Sequence, residues 1–208
     1  MNTKIYFSSL ILMLSTFTLL SQDIKSNTSG FSASISGVYS SWDSESFFLS
    51  DLAELDPSGY GLSVEVGYGI NQRISFVVSY AGLNFNRNDN WNNFNFKSFS
   101  LLSMFNFGAT LSAFRPFLEV GLSSLSQKID PVTLDNTGAY VLRNSGLQFI
   151  GGGGLDYFVM NNLAIGLKAQ FVSGSFSSNE IDGIEIIVEE DVDVLLFNLN
   201  LGIKYYFD

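Results

Sequence analysis

The stretch VLLFNLNLGIKYYF, residues 194–207, decides the fold of this 208-residue chain. Apolar side chains occupy every second position, and mostly polar or small ones stand between them. A period of two is typical of a β-strand with one apolar and one polar face. A tilted strand of ~9–11 residues is long enough to cross a bilayer. The pattern therefore predicts a membrane-spanning strand, whose apolar face holds Leu195, Phe197, Leu199, Leu201, Ile203, Tyr205 and Phe207.

Seven further segments show the same two-faced pattern. With the terminal stretch they predict eight strands, the first seven at 31–40, 60–69, 74–82, 96–107, 115–125, 146–158 and 163–172. The connections alternate between short ones, at 70–73, 108–114 and 159–162, and long ones, at 41–59, 83–95, 126–145 and 173–193. Short turns on one side and long loops on the other are typical of bacterial outer-membrane barrels. The sequence therefore predicts an all-β fold, an eight-stranded antiparallel up-and-down transmembrane β-barrel with both termini on the periplasmic side.

The distribution of charge separates this barrel from a soluble one. Only 14% of the residues are charged, against roughly 25% in ordinary soluble proteins. A soluble barrel has an apolar interior and a charged outer surface. Here the charges near strand centres fall on the face that also holds Ser, Gly, Asn and Gln. A charge on the lipid side at mid-bilayer would cost about 2–4 kcal/mol, so its exclusion favours the membrane barrel.

The N-terminus has the features of an export signal. Lys4 lies in a short polar segment, residues 5–20 are apolar, and Ser21 and Gln22 follow. This order predicts a signal peptide at 1–22 that is removed on export, with a single membrane anchor as the alternative. The rest of the chain, 23–208, is then one outer-membrane barrel domain of a Gram-negative bacterium.

Six charged residues are predicted to project into the lumen. An eight-stranded lumen is just wide enough to be filled by side chains, and buried charges have to be paired. Both signs are present, so we interpret the group as an interior salt-bridge network rather than as acid–base catalysts. Its predicted members are Glu65, Glu119, Lys168 and Lys204, with Arg115 and Arg73 as additional candidates.

At this point the chain resembles the small eight-stranded outer-membrane β-barrels, the porin-like group that includes the OmpA transmembrane domain and OmpX. The resemblance covers 30–207 and rests on strand number, loop alternation, the segment RPFLEVGL at 115–122 and the terminal aromatic strand. It implies a location in the outer membrane, among its lipids and lipopolysaccharide. It also implies that the barrel assembly machinery recognises the C-terminal aromatic residues, here Tyr205, Tyr206 and Phe207.

The composition argues against several other function classes. A net charge of −10 does not suit nucleic acid, whose phosphates require clustered Lys and Arg. The sequence contains no Cys and no His. Small barrels that modify lipid A use a catalytic His beside Ser, so a Ser activated in that way is impossible here. We therefore predict no enzyme activity, and no catalytic, cofactor-binding or metal-binding residues.

Two motifs have both a functional and a structural interpretation. The run Gly151–Gly154 is not followed by Lys-Ser or Lys-Thr and has strand-like flanks, so we interpret it as strand glycine rather than a phosphate loop. The stretch 84–95 interleaves Asn with Phe85, Trp91 and Phe94. Such aromatics can bind glycans, but we assign them to the interfacial girdle of the barrel.

The loops at 41–59 and 173–193 are acidic and contain no Lys or Arg. They join strands 1–2 and 7–8, which become neighbours when the barrel closes. Hard oxygen ligands suit Ca²⁺ or Mg²⁺, so weak divalent binding is one interpretation, and a solvated acidic surface is the other. The carboxylates are Asp43, Glu45, Asp51, Glu54 and Asp56 in the first loop, and Glu180, Asp182, Glu185, Glu189, Glu190, Asp191 and Asp193 in the second.

These features predict an integral outer-membrane barrel with a largely plugged lumen, exposed acidic loops, and a structural or surface-interaction role. The alternative is a narrow porin-like channel for small or hydrophobic solutes.

Overall fold

The computed structural model describes residues 24–43, 57–86, 91–133, 139–186 and 192–207. Within these ranges the chain forms strands, and no helix there has the length and apolar character to cross a bilayer. The predicted signal peptide, 1–22, lies outside the described residues and stays a prediction. The strands are β1 (Gly30–Asp43), β2 (Ser58–Gly69), β3 (Ile74–Phe85), β4 (Trp91–Asn106), β5 (Phe114–Thr133), β6 (Ala139–Met160), β7 (Leu163–Phe176), β8 (Ser178–Ile181), β9 (Ile184–Ile186) and β10 (Val192–Tyr206).

Eight of these strands close into an antiparallel barrel. The strands pair in chain order from β1 to β7, β7 then pairs with β10, and pairing of β10 with β1 closes the ring. The first strand meets the last in a regular register that runs from Ser32 opposite Tyr206 to Asp43 opposite Leu195. The predicted eight-stranded fold is confirmed. The short strands β8 and β9 form an additional hairpin, and β8 pairs with the start of β6.

The two faces of the wall carry the residues that the alternation predicts. In β10, Leu201 is 61% exposed and Ile203 is 55% exposed, whereas their neighbours Asn200 and Lys204 are buried. β3 repeats the pattern, with Phe76 outside and Ser75 inside. Exposed apolar side chains therefore form an outer band, and the polar face of each strand turns inward.

The strands extend beyond their predicted ends on one side of the barrel. We call this side the loop end, and the opposite side, with connections at 70–73, 107–113 and 161–162, the turn end. The predicted long loop 126–145 is mostly strand, because β5 and β6 remain paired as far as Thr133 opposite Ala139. The predicted loops 41–59, 83–95 and 173–193 also contain strand residues. A wall above the membrane can be polar outside and still pair its backbone, which is why polar composition was mistaken for loop.

Inward-facing residues show how these extensions are held. Asn144 on β6 donates from its Nδ2 to Gln127 Oε1 on β5 at 3.1 Å, and both side chains are buried. Leu125 and Ile129 lie on the same inner face. The alternation in this region continues the inner face of the strands below it.

The run Gly151–Gly154 lies in the middle of β6, as its structural interpretation predicts. A Cβ added to Gly154 would clash with the backbone carbonyl of Leu167, and it would lie 2.7 Å from both the ring of Phe117 and Lys168 Cβ. A Cβ on Gly151 would meet only Glu119 O, at 3.8 Å. The inward glycine therefore leaves room for the side chains of neighbouring strands.

Closure predicts a folded state that resists detergent. Native protein extracted without heating should keep its barrel in SDS and migrate differently on a gel from boiled protein, because closure pairs the backbone of every wall strand. Identical mobility before and after boiling would contradict closure.

The glycine geometry predicts a difference between two matched substitutions. Gly154→Ala should destabilise the barrel by about 1–3 kcal/mol, the usual range for overpacking. Gly151→Ala, which adds the same methyl group in open space, should leave stability nearly unchanged. Urea unfolding of protein folded in lipid vesicles measures both, and equal midpoints would refute the packing role.

Candidate functional site

A lysine in the barrel interior connects carboxylates from two distant strands. Lys168 on β7 donates a short hydrogen bond to Glu65 on β2, and its Nζ lies 3.7 Å from Glu119 Oε1 on β5. All three side chains are buried. These strands are not neighbours in the wall, so the contacts cross the lumen. The predicted interior ion pairing is confirmed for Lys168, Glu65 and Glu119, and the structure shows that Lys168 is the cation between the two glutamates.

Neutral polar side chains extend the network and orient its carboxylates. Gln170 donates from Nε2 to Glu119 Oε1 at 2.6 Å, and Asn200 donates to Gln170 Oε1 at 3.0 Å. On the other side, Ser34 donates to Glu65 Oε2 at 3.1 Å. Glu119 Oε2 has no hydrogen-bond partner. Glu65 is therefore held more completely than Glu119, through both of its oxygens.

Lys204 belongs to a second interior pair that sequence reasoning did not identify. Its Nζ lies 3.5 Å from Asp156 Oδ2, and Tyr206 donates to the same oxygen at 3.1 Å. The ammonium also lies 5.1 Å from the ring centroid of Tyr206 and 5.9 Å from that of Phe117. The inward parity of Asp156 on β6 was visible in the sequence, but the identity of its partner depended on closure.

The N-terminal segment 24–29, which we call the strap, crosses the turn end of the barrel. It contacts all three turns there: Ser26 N donates to Thr110 O at 2.9 Å, Asn27 N to Asn161 O at 3.2 Å, and Thr28 N to Gln72 Oε1 at 2.9 Å. Ser26 and Thr28 are buried. The strap therefore covers the end of the interior on this side.

The two additional arginine candidates have different locations. Arg115 is inside the barrel and 1% exposed, and its Nη2 donates to Thr28 Oγ1 at 3.2 Å and to the carbonyl of Gln72. It therefore holds the strap rather than a network carboxylate. The lumen prediction for Arg73 is wrong. That side chain is exposed, because Arg73 lies in the turn where Asn71 Oδ1 accepts hydrogen bonds from residues 73 and 74.

The interior of the loop end is apolar and aromatic. Trp42 on β1 meets Phe94 and Phe96 on β4, each at 5.4 Å between ring centroids, and Phe85 packs against both phenylalanines. The other buried apolar residues near the loop end, which complete this aromatic layer, are Leu83, Leu125, Ile129, Leu142, Phe176, Val194 and Leu196. The same apolar cluster continues through Val38, Val77, Leu102, Ile150 and Val172 toward the turn end, where Met104 and Phe117 lie beside Lys204. The layer crosses the barrel because β1 and β4 are not neighbours.

The girdle assignment is therefore wrong for Phe85 and Phe94, which are 5% and 1% exposed. The side chain of Trp91 lies outside the described residues. The alternation of inward and outward positions along β3 is the signal that predicts an inward Phe85. This residue continues the inner face of Ser75, Val77 and Ser79. The predicted strand ends at residue 82, whereas β3 continues to Phe85, so the predicted inner face stops short of this residue.

Serine side chains separate the polar network from the aromatic layer. Ser63 and Ser79 are hydrogen-bonded at 3.2 Å, and Ser100 donates to Ser123 at 2.9 Å. A cavity of about 20 Å³ lies among them, and another of about 30 Å³ lies beside Lys168 and Lys204. A water molecule needs ~10–15 Å³ on this measure, so each cavity has room for one or two waters.

The acidic loops are only partly within the described residues. Glu180 and Glu185 lie opposite each other on the β8–β9 hairpin, and Asp182 Oδ1 accepts a hydrogen bond from Val141 N at 2.8 Å. In the described part of the chain, no group of three or more acidic, His or Cys side chains is placed to hold a metal ion. Divalent binding stays a prediction, because most of its carboxylates lie outside that part.

Comparison with known proteins identifies the family. Residues 45–182, more than half of the chain, match the family described as the OprF membrane domain. The chain belongs to this family. Its members are small outer-membrane β-barrels, which is the location and fold that the sequence predicts. No curated protein matches the chain in sequence.

Solved barrels from other bacteria have the same fold as this OprF-family chain. Neisserial surface protein A aligns with a TM-score of 0.63 and 16% identity over 86% of this chain and 98% of that one. The outer membrane protein OprG of Pseudomonas aeruginosa aligns with a TM-score of 0.58 and 15% identity, over 89% of this chain and 99% of OprG. Ail, the attachment invasion locus protein of Yersinia pestis, aligns with a TM-score of 0.50 and 17% identity, over 86% of this chain and 100% of Ail. At these identities the likeness concerns the fold.

The interior network predicts an ordered series of stability losses. Lys168→Met leaves two buried carboxylates without their cation and should cost about 3–5 kcal/mol, the range for breaking a buried pair. Glu65→Gln should cost more than Glu119→Gln, because Glu65 makes the direct hydrogen bond to the lysine. Urea unfolding in lipid vesicles measures each loss.

A double variant provides the control for this series. Lys168→Met combined with Glu65→Gln removes a charge of each sign and should be more stable than Lys168→Met alone. The network is refuted if Lys168→Met unfolds at the wild-type midpoint, or if the double variant is the less stable of the two.

Proposed function

We propose that this OprF-family barrel is a structural and surface-interaction protein of the outer membrane, with a closed lumen and no enzymatic activity. The observation that carries the proposal is Lys168, which reaches across the interior to Glu65 and Glu119. A continuous aqueous path would have to pass these ion pairs, which connect strands that are not neighbours in the barrel.

Two further layers support a closed lumen. The strap covers the turn end, where its backbone is hydrogen-bonded to all three turns. The aromatic layer covers the loop end, where Trp42, Phe94 and Phe96 are at most 3% exposed. A solute would have to displace three separate sets of contacts to cross the barrel.

The orientation that outer-membrane barrels share supports a role at the cell surface. Short turns face the periplasm and longer segments face outward in such barrels. The loop end, including the β8–β9 hairpin and the acidic residues near it, is then displayed outside. Two of the similar structures are described as a surface protein and as an attachment invasion locus protein, which agrees with a surface role.

Conductance measurements separate this function from the alternative, a narrow channel for small or hydrophobic solutes. Purified protein in planar bilayers should give no stable conductance steps at neutral pH and moderate voltage, because in the proposed closed lumen the interior contacts interrupt the water path. Vesicles that contain the protein should also take up small sugars and hydrophobic solutes no faster than empty vesicles.

A variant that removes side chains from all three layers provides the positive control. Deletion of residues 24–29 combined with Trp42→Ala, Phe96→Ala and Lys168→Ala should conduct, provided that it still shows the heat-dependent shift in SDS. A matched variant with the lipid-facing substitutions Phe99→Ala and Leu101→Ala should show no conductance steps. Stable steps from the unmodified protein would overturn the closed lumen.

A further inference from the structure

Three basic side chains lie together on the outer surface of the barrel wall. Lys97 on β4, Lys128 on β5 and Arg143 on β6 border a shallow groove of about 520 Å³ between β3 and β6. Asn84, Asn95 and Ser126 provide further polar lining. We call this groove and its three cations the basic patch.

The basic patch is a local concentration of charge in an acidic protein. The net charge of the whole chain is −10, and the sequence has 10 Lys and Arg residues. Among the described residues, Arg115, Lys168 and Lys204 face the interior, while Lys25 and Arg73 lie at the turn end. Every basic residue that the structure describes on the outer wall near the loop end therefore belongs to the patch, which occupies one sector of the wall.

The patch lies directly beyond the apolar band that faces lipid. On β4 the last exposed apolar residue of the band is Phe99, and Lys97 follows two positions nearer the loop end. On β6 the corresponding residues are Leu147 and Arg143. Ser124 on β5 lies opposite both Phe99 and Leu147, and Lys128 follows it by four positions. At ~3.4 Å per residue and a tilt of ~40°, the three cations lie roughly 5–10 Å above the hydrocarbon boundary.

Strand pairing brings the three cations together. Lys128 lies directly opposite Arg143 in the β5–β6 register, and on its other side it faces Asn95 of β4. Lys97 is two residues from Asn95 on the same face of β4. Two like charges placed opposite each other are destabilising in a sheet, so a bound anion would relieve their repulsion.

Two carboxylates border the patch, and one of them forms an ion pair with a patch cation. Asp130 Oδ2 lies 2.6 Å from Lys128 Nζ, and both side chains are partly exposed. Glu180 lies opposite Arg143 in the β6–β8 register. Exposed pairs of this kind contribute only ~0.2–1 kcal/mol, so a multiply charged ligand can displace them.

We propose that the basic patch binds the phosphate groups of a phosphorylated glycolipid in the outer leaflet, of the lipopolysaccharide class. Its position on the wall, rather than in the mouth of the barrel, selects a membrane lipid over a soluble anion. The head-group region of an ordinary phospholipid is only ~5–7 Å thick. Cations at heights of roughly 5–10 Å therefore suit a taller head group that has phosphates at more than one level.

Binding of rough-type lipopolysaccharide, which has phosphates on its lipid anchor and inner core, tests the proposal. The full chain, folded in a non-ionic detergent, is titrated with this lipid, and bound lipid is measured by native mass spectrometry. The triple variant Lys97→Gln/Lys128→Gln/Arg143→Gln should bind about 10- to 100-fold more weakly, since each cation near an anionic lipid surface contributes about 5-fold. Dephosphorylated lipid should bind equally weakly to the wild type and to the triple variant.

Two controls separate the patch from a general effect of charge. Lys25→Gln/Arg73→Gln removes two exposed cations at the turn end and should bind within about 2-fold of the wild type. Asp130→Asn releases Lys128 from its ion pair and should bind about 2- to 5-fold more tightly, a gain that a purely structural role for these residues would not produce. All variants must keep the heat-dependent shift in SDS.

The proposal is overturned if the triple variant binds like the wild type, or if dephosphorylated lipid binds the wild type as well as the phosphorylated form. It is also overturned if inorganic phosphate displaces the lipid at equal concentration, because the patch would then be a site for a soluble anion. A loss in Lys25→Gln/Arg73→Gln as large as that in the triple variant would likewise reject it.

Discussion

The pairing of β1 with β10, which closes the eight-stranded ring, is the constraint on which the rest of the structure depends. Hydrocarbon offers no partner to a backbone N–H or C=O group, so a sheet in a bilayer is stable only when it has no free edge. Pairing of these two strands removes both edges of the eight-stranded sheet. Once the ring is closed, one face of every strand must accept lipid, and the other faces a narrow common interior.

This narrow interior explains the contacts that cross it. An eight-stranded barrel is only wide enough for its own side chains, so inward residues of distant strands meet. Charged members are stable there when they pair, as Lys168 does with Glu65 and Lys204 with Asp156. Where inward residues are apolar, they pack as the aromatic layer does. Both kinds of contact follow from the same lack of space, and both support a closed lumen.

The outer surface is subject to a different constraint, because it changes from lipid to water along each strand. Apolar side chains end at a boundary, and polar or charged ones follow on strands that continue beyond it. Charged side chains therefore lie on the outer surface only toward the ends of the barrel. The position of each cation along its strand determines its height above the apolar band. This geometry is the basis of the proposal for the basic patch, whose cations lie just beyond the apolar band, at the heights where we propose that glycolipid phosphates bind.

The period-two alternation was enough to predict the strand number, the faces and the inward position of Glu65, Glu119 and Lys168. It is a local property, because successive side chains of a strand point to opposite sides whatever the strand pairs with. The same parity, extended past residue 82, would have turned Phe85 inward, but polar neighbours were mistaken for a loop. Arg73 was misplaced for a related reason, because it belongs to a turn, where parity does not apply.

Only the tertiary structure decided which residues meet. That Asp156 is the partner of Lys204, and that Arg115 holds the strap at Thr28, depends on the register of strands that are distant in sequence. The same is true of the basic patch, whose cations come from three strands and become neighbours only through pairing. Alternation along one strand determines which side a residue faces, whereas closure of the ring determines what it faces there.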